Sequence, residues 1–317
     1  MPPPRAIFAV TARVSGTSLI LIFSITLLIM TSLYTFFIFC QDFYAKIQQK
    51  EQIMANLLSI QFRPKIGDKQ ANLLKTEQIL NSYKDKNLDL VLVPEFFSTG
   101  ISHDAMINYP EDENGGETIR FMRELAKKYN TNIIAGSVIE KSGEKLYNTS
   151  FVINRHGEII EKYRKIHLFN YLGGTEGERI TEGKEVKTVD LDFARVGLSI
   201  CFDIRYPLHF RKLIEKGAEI IVCPTAWCVL HDLKQRQIEI WKAFNITRAS
   251  ENLVYMISSN QTGKIDSFLT NTGNSMIVSP EAEVLANAGE EEGAVFAKAD
   301  MDIVRKFKKT YPVADIE

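Results

Sequence analysis

The stretch "VGLSICFDIRYP", residues 196–207, opens as an apolar run of strand length and turns polar around one cysteine. Directly after it, "YPLHFRKLIEKG" reads as a helix, with Pro207 near its start and Gly217 at its end. A thiol at Cys201 thus occupies the joint between a buried strand and a helix, followed closely by Asp203 and Arg205. In layered α/β proteins, strand ends and the loops that leave them gather functional groups. The competing interpretation of Cys201 is a small buried apolar residue, the common fate of an isolated cysteine.

Outward from this joint the same alternation recurs. "NLLSIQF" reads as a strand and "DKQANLLKTEQILNSYKDK" as an amphipathic helix; "LDLVLVP" is a buried strand, "GGETIRFMRELAKKYN" a helix and "NIIAGSV" a strand. "YNTSFVINRHGEIIEKYRK" holds two strands around a His-Gly turn. "AEIIVCP" is a strand, a long helix lies within "DLKQRQIEIWKAFNITRASEN", and the remainder to the C-terminus is strand-rich. Such alternation predicts an α/β layered domain, sheet inside and helices outside.

The chain has 317 residues, 45% hydrophobic and 24% charged, with a net charge of −1, which excludes global disorder. A nucleic-acid surface would need clustered basic residues, and the Lys and Arg here are scattered. Cys40, Cys201, Cys223 and Cys228 in a chain of this size do not form a disulfide framework. The N-terminus differs in kind. Residues 14–41 carry no charge, and about 18–40 are long and apolar enough for one transmembrane helix. Arg5 and Arg13 before it balance Lys46 and Lys50 after it, leaving orientation open. The chain therefore divides into residues 1–53 and an enzyme-like domain over 54–317. Either the first segment is a single-pass membrane anchor, or translation starts at Met54 and the protein is cytoplasmic. "MANLLSIQF" begins at Met54, and Lys50-Glu51 can be encoded by a ribosome-binding sequence, which favours the short form in a bacterial source.

Three polar residues share one structural address. Glu95 follows "LDLVLVP", Lys165 follows "GEIIEKYR" and Cys201 follows "RVGLSI". A carboxylate, an amine and a thiol brought together would be a base, an oxyanion stabiliser and a nucleophile, the set that cleaves a carbonyl–nitrogen bond covalently. Position near a helix start, and near Lys165, would favour thiolate at Cys201.

"VPEFFSTG", "YRKIHLF" and "SICFDIRYP", in this order and spacing, resemble the three signatures of the nitrilase superfamily, the carbon–nitrogen hydrolases. The resemblance runs from about Met54 to the C-terminus. It implies a four-layer αββα sandwich in which Glu95, Lys165 and Cys201 do the chemistry, with no metal or organic cofactor. "GGTEGERITEG" is similar to the region that supplies a further glutamate; Glu176 is the match and Glu178 its competitor. "WKAFNITRASEN" resembles the family's R-A-x-E-N helix end, with Arg248, Glu251 and Asn252 in place. By the same resemblance, the backbone N–H of Phe202 shares the oxyanion with Lys165, and two domains pair into a homodimer or a larger assembly. The undecorated domain is most similar to the small-amide branch of ω-amidase and deaminated-glutathione-amidase types. An N-carbamoyl amidohydrolase and a membrane-associated N-acyltransferase are the alternatives.

Remaining features read as structure or support. Trp227 lies at another strand end, where it lines the substrate pocket or simply packs. Asp203 and Arg205 are expected to pair and brace the turn, His167 to support Lys165, and "EEE" at 290–292 to be a solvated turn. Cys223, Cys228 and His231 offer metal-ligand chemistry, but spacing on or near a strand argues against zinc.

Overall fold

Along strand β1 (Met54–Gln61), neighbouring residues serve two different cores. Leu57 packs with Leu90, Leu92, Ile134 and Val152 on one face, whereas Leu58 and Ile60 join Val91, Val93, Ile133 and Phe151 on the other. This is the period-two alternation of a strand buried on both sides. The computed structural model describes residues 34–36, 38, 52–102, 108–170 and 174–311. The chain separates into two units, Met1–Gln52 and Ile53–Glu317, and every strand and helix named here belongs to the second.

The first sheet contains β1, β2 (Leu90–Leu92), β3 (Glu111–Asp112), β4 (Asn132–Ser142), β5 (Lys145–Ile153) and β6 (Ile159–Arg164). The second contains β7 (Thr188–Asp190), β8 (Arg195–Leu198), β9 (Ile220–Thr225) and β11 (Tyr255–Asn260), with β14 (Met276–Val278) and β15 (Val284–Asn287). A small third sheet is built from β10 (Cys228–Leu230), β12 (Thr262–Lys264) and β13 (Leu269–Thr272). Strand β16 (Gly293–Asp300) returns to pair antiparallel with β1, so the first sheet runs β16-β1-β2-β4-β5-β6 with β3 beside β4. The second runs β15-β14-β11-β9-β8-β7. Both are mixed: β1, β2 and β4 are mutually parallel, as are β8, β9 and β11, β3 is parallel to β4, and the remaining pairings are antiparallel.

Helices α1 (Lys69–Asn81) and α2 (Glu117–Tyr129) cover one outer face through Leu73, Leu80, Ile119 and Met122. Helices α3 (Pro207–Glu215) and α4 (Lys234–Asn252) cover the other through Phe210, Leu213, Trp241 and Ala249. The layers are helix, sheet, sheet, helix. The inter-sheet core joins Leu57, Leu92 and Tyr163 of the first sheet to Leu198, Ile221 and Ile257 of the second. Helix α5 (Met301–Thr310) closes the chain, with Asp300 capping it by accepting the Asp302 N–H at 2.9 Å; the strand-rich reading of the C-terminus omitted it.

The candidate transmembrane segment at 18–40 lies outside the described residues except for 34–36 and 38, which are helical. Among the described residues no helix is long and apolar enough to cross a membrane. The "EEE" turn is exposed yet tethered: Glu290 pairs with Lys234, and Glu292 pairs with Lys75 at 2.8 Å and accepts the Arg63 N–H.

Candidate active site

Glu95 is delivered by the chain leaving β2. Val93 extends that strand through a bond to Ile134, and Glu95 pairs with Ser137 where β4 bulges between Ala135 and Val138. The bulge is possible because residue 136 is glycine: a Cβ there would lie 2.0 Å from the Pro94 carbonyl oxygen, and its φ is +35°. Phe96 then takes φ +52°, which turns the chain and leaves the Glu95 side chain between the sheets, 2% exposed.

Lys165 follows the last residue of β6. Its N–H donates to Asn148 O at 2.8 Å and its carbonyl accepts the Gly183 N–H at 2.7 Å. Residue 183 must be small, since a Cβ would meet the Arg164 carbonyl oxygen at 2.1 Å. The buried ammonium donates to Glu95 Oε1 at 3.0 Å and to Glu176 Oε2 and Oε1 at 2.9 and 3.2 Å. Asn148, on β5, spans the same two acids: its Nδ2 donates to Glu95 Oε1 and Glu176 Oε1, each at 2.8 Å. The second Glu95 oxygen accepts the Ala226 N–H at 2.8 Å, and the second Glu176 oxygen accepts the Phe169 N–H at 2.8 Å. Glu178, the competing candidate, is exposed and stands apart from this cluster.

Two carboxylates around one ammonium leave the cluster short of positive charge. Burial raises the Glu95 carboxyl above the ordinary carboxylate range; Lys165 opposes and Glu176 adds to the rise. Burial also works against the charge on Lys165, but Glu176 and Glu95 hold its proton well beyond the usual lysine range. The base is therefore basic and the ammonium is permanent.

Cys201 begins a five-residue 3₁₀ turn, Cys201–Arg205, and α3 starts only at Pro207. Its φ is +47°, a left-handed conformation that costs a non-glycine residue roughly 1–2 kcal/mol. The sequence-based expectation of a thiolate is corrected here. Burial, then the charge of Glu95, push the thiol well above its usual range; Lys165 and the Ala226 N–H pull the other way and lose. The free site holds a neutral thiol beside a carboxylate of raised proton affinity. Phe202 follows in the turn, its ring edge-on to Phe169 at 5.3 Å and to Tyr206 at 5.8 Å.

Asp203 and Arg205 do not form the expected pair. In a 3₁₀ turn, residues two apart point to different sides. Asp203 turns inward, fully buried, to Tyr163, His167 and Ile200. Arg205 turns outward, its guanidinium 4.9 Å from the Trp227 ring centre, 5.0 Å from Phe244 and 5.7 Å from Phe202. It has no carboxylate partner among the described residues, while burial lowers its proton affinity and Cys201 opposes that shift. Trp227 is 6% exposed, its backbone N–H donating to Asn260 Oδ1, its indole N–H to Gln237 Oε1, and its ring lying against Trp241 at 5.1 Å. It serves both as core and as the platform for Arg205.

The carbon–nitrogen hydrolase family signature matches residues 58–309, the span that contains every residue of this cluster. The chain belongs to the carbon–nitrogen hydrolase family. It is 31% identical over 258 residues to the 2-oxoglutaramate amidase of Bacillus subtilis, covering 81% of this chain and 95% of that one. It is 33% identical over 261 residues to a nitrilase of Pyrococcus abyssi, covering 80% and 92%. The crystal structure of Saccharomyces cerevisiae Nit3, a member of branch 10 of the nitrilase superfamily, superimposes with a TM-score of 0.73 at 27% identity, covering 82% of this chain and 95% of that one.

In this carbon–nitrogen hydrolase, one cluster among the described residues has metal-ligand character: His167, Asp203 and His209, with atoms within 4.8 Å of one another. Four donors already occupy the acceptor positions of Asp203, so the cluster reads as a hydrogen-bond network. Cys223 and Cys228 fall in different sheets. The R-A-x-E-N segment braces the turn: Arg248 Nε donates to Ile204 O at 3.0 Å, and Glu251 holds the guanidinium at 2.5 Å. Residue-type reasoning missed Asn148 and the Ala226 N–H. Asn148 stands beside Thr149 and Ser150 in "YNTSFVI", where nothing sets it apart, and a backbone donor leaves no signal in a sequence.

Proposed function

We propose that this hydrolase cleaves the terminal amide of a small substrate with an anionic far end, by way of a thioester on Cys201. Glu95 takes the thiol proton as sulfur attacks the carbonyl carbon, and Lys165 Nζ and the Phe202 N–H take up the negative charge on oxygen. Collapse expels ammonia, protonated by Glu95, and leaves the thioester. Glu95 then deprotonates a water, which adds to the thioester; the sulfur leaves and regains a proton. The products are a carboxylic acid and ammonia, with Glu95 and Cys201 restored. Glu176 and Asn148 hold Lys165 and Glu95 in register throughout.

The observation that carries the mechanism is the Lys165 ammonium held 3.0 Å from Glu95 and 2.9 Å from Glu176, with burial raising the proton affinity of both the Glu95 carboxyl and the Cys201 thiol. Cys201 needs a base rather than a resting thiolate, and Glu95 supplies one. The pH dependence follows in sign. Activity needs Glu95 ionised, so kcat/KM should fall as pH drops through a pKa above the ordinary carboxylate range. An acid limb at or below that of a free glutamate, measured on an uncharged amide, contradicts the assignment.

Arg205 carries the substrate class. Among the described residues it is a guanidinium without a carboxylate partner, on an aromatic platform, four residues after the nucleophile and in its electrostatic field. A carboxylate on the substrate would give it the partner that it lacks. Arg205→Ala should cost acid-bearing ω-amides about 10- to 100-fold in kcat/KM, the worth of a charged hydrogen bond, and barely affect a neutral amide of equal length. Arg205→Lys should recover little, since a compact ammonium cannot reproduce the stacked, planar contact. Equal losses on both substrates rule out this role.

A further inference from the structure

Lys165 and Cys201 come from different sheets, and their spacing decides whether one oxyanion can meet both Lys165 Nζ and the turn that follows the sulfur. We propose that Asp203 is a positioning residue that clamps the Lys165 segment to the Cys201 turn, by binding the residues on either side of the lysine and the residue just before the cysteine. This rests on the Cys–Glu–Lys reaction proposed above and assigns a residue that takes no direct part in it.

The geometry is a four-point attachment. Asp203 Oδ2 accepts the Tyr163 hydroxyl at 2.7 Å and the Ile200 N–H at 2.9 Å. Oδ1 accepts the His167 N–H at 3.0 Å and faces His167 Nδ1 at 2.7 Å. Tyr163 and His167 lie two residues before and two after Lys165, and Ile200 immediately precedes Cys201. Every acceptor position of the carboxylate is spent on one of the two catalytic segments. The Asp203 N–H also donates to Ile200 O at 3.0 Å, closing the turn reciprocally. A left-handed φ at Cys201 persists only where its surroundings over-determine it, and this pair of bonds is the local constraint.

Neighbouring groups fix the clamp's own members. The His167 ring stacks on Tyr206, 3.6 Å between centres with a 14° tilt, which sets the direction of Nδ1. His209 packs edge-on to both Tyr163 and His167, with Nε2 3.1 Å from Leu198 O. Burial lowers its proton affinity, so the ring is neutral and its Nε2 carries the hydrogen that Leu198 accepts.

The test compares hydrogen-bond mimics by kcat, KM, melting temperature and the rate at which iodoacetamide alkylates Cys201, each measured on the full chain. Asp203→Asn keeps the shape but turns an amide NH₂ toward two of the four donors, because each carboxylate oxygen accepts a pair of them. It should lower kcat on the order of 10²-fold, the cost of about 1 Å of misplacement, with KM little changed. Alkylation should slow in parallel. His167→Ala should lose part of kcat, and His167→Asn, whose amide nitrogen replaces Nδ1, should restore most of it. Adding Tyr163→Phe to Asp203→Asn should cost less than Tyr163→Phe alone, because the carboxylate it serves is already gone. Should Asp203→Asn fail to fold, the His167 pair decides. The clamp is overturned if His167→Asn and His167→Ala lose kcat equally, or if the folded variants keep wild-type kcat and alkylation rates. If Cys201→Ala still hydrolyses amides, the reaction itself is wrong; the alkylation rates then still report whether Asp203 positions the thiol.

Discussion

Cys201→Ala should keep the fold and lose all measurable amide hydrolysis, because no other group in the cluster can take an acyl chain. Glu95 and Lys165 would remain, but a carboxylate of raised proton affinity and a protonated lysine make no stable covalent intermediate. Loss of a nucleophile of this kind removes a factor of about 10⁶ in kcat where it has been measured. Stability should change little. Alanine keeps the Cβ, so the left-handed strain at φ +47° stays, and a half-buried thiol in the field of Glu95 is removed. Cys201→Gly, equally inactive, should melt higher than Cys201→Ala by the equivalent of about 1 kcal/mol, since glycine adopts that conformation without penalty. Ammonia release and thermal melts on the purified variants check both statements. Residual turnover above trace in Cys201→Ala would exclude the thioester route, and a lower melting point for the glycine variant would exclude strain at this position.

The thiol also shows where sequence reasoning stops. The strand-end positions of Cys201, Glu95 and Lys165 are visible in the residues themselves, their order and spacing gain meaning through the superfamily resemblance, and the layered fold follows from strand-like stretches such as "NLLSIQF" and "LDLVLVP" alternating with helix-like ones. The charge state of the thiol was not legible. A helix start and a nearby lysine are local features that favour thiolate. Burial and the Glu95 carboxylate, which reverse the outcome, arrive through packing with a segment more than a hundred residues away. Asp203 and Arg205 failed for a related reason: opposite charges close in sequence suggested a pair, and the 3₁₀ turn sent them to opposite sides. The small sheet of β10, β12 and β13 escaped because strands of three or four residues are too short to show a period. Asn148 escaped because one amide in a strand has no pattern at all.

The second large effect belongs to Lys165. Lys165→Met should both destabilise the protein and abolish efficient acylation, and the two losses should be separable. Removing the ammonium leaves Glu95 and Glu176 buried with no counter-charge, a change that typically costs 3–5 kcal/mol. The pair would respond by binding a proton. Glu95, already raised by burial, is the member that would hold it, so the base would be neutralised as well as the oxyanion donor lost. The expected fall in kcat is on the order of 10²–10³ for the missing donor alone. Adding Glu176→Gln removes the second charge and keeps an acceptor for the Phe169 N–H. The double variant should therefore regain much of the melting temperature while kcat stays low. Lys165→Arg should rescue neither property well, because a planar fork does not fit a pocket in which one nitrogen lies within 3.2 Å of three carboxylate oxygens. Recovery of kcat together with stability in the double variant would show that Lys165 only neutralises the buried acids. Recovery of stability alone leaves the ammonium its part in the chemistry, because charge balance is then restored and the reaction still lacks its donor.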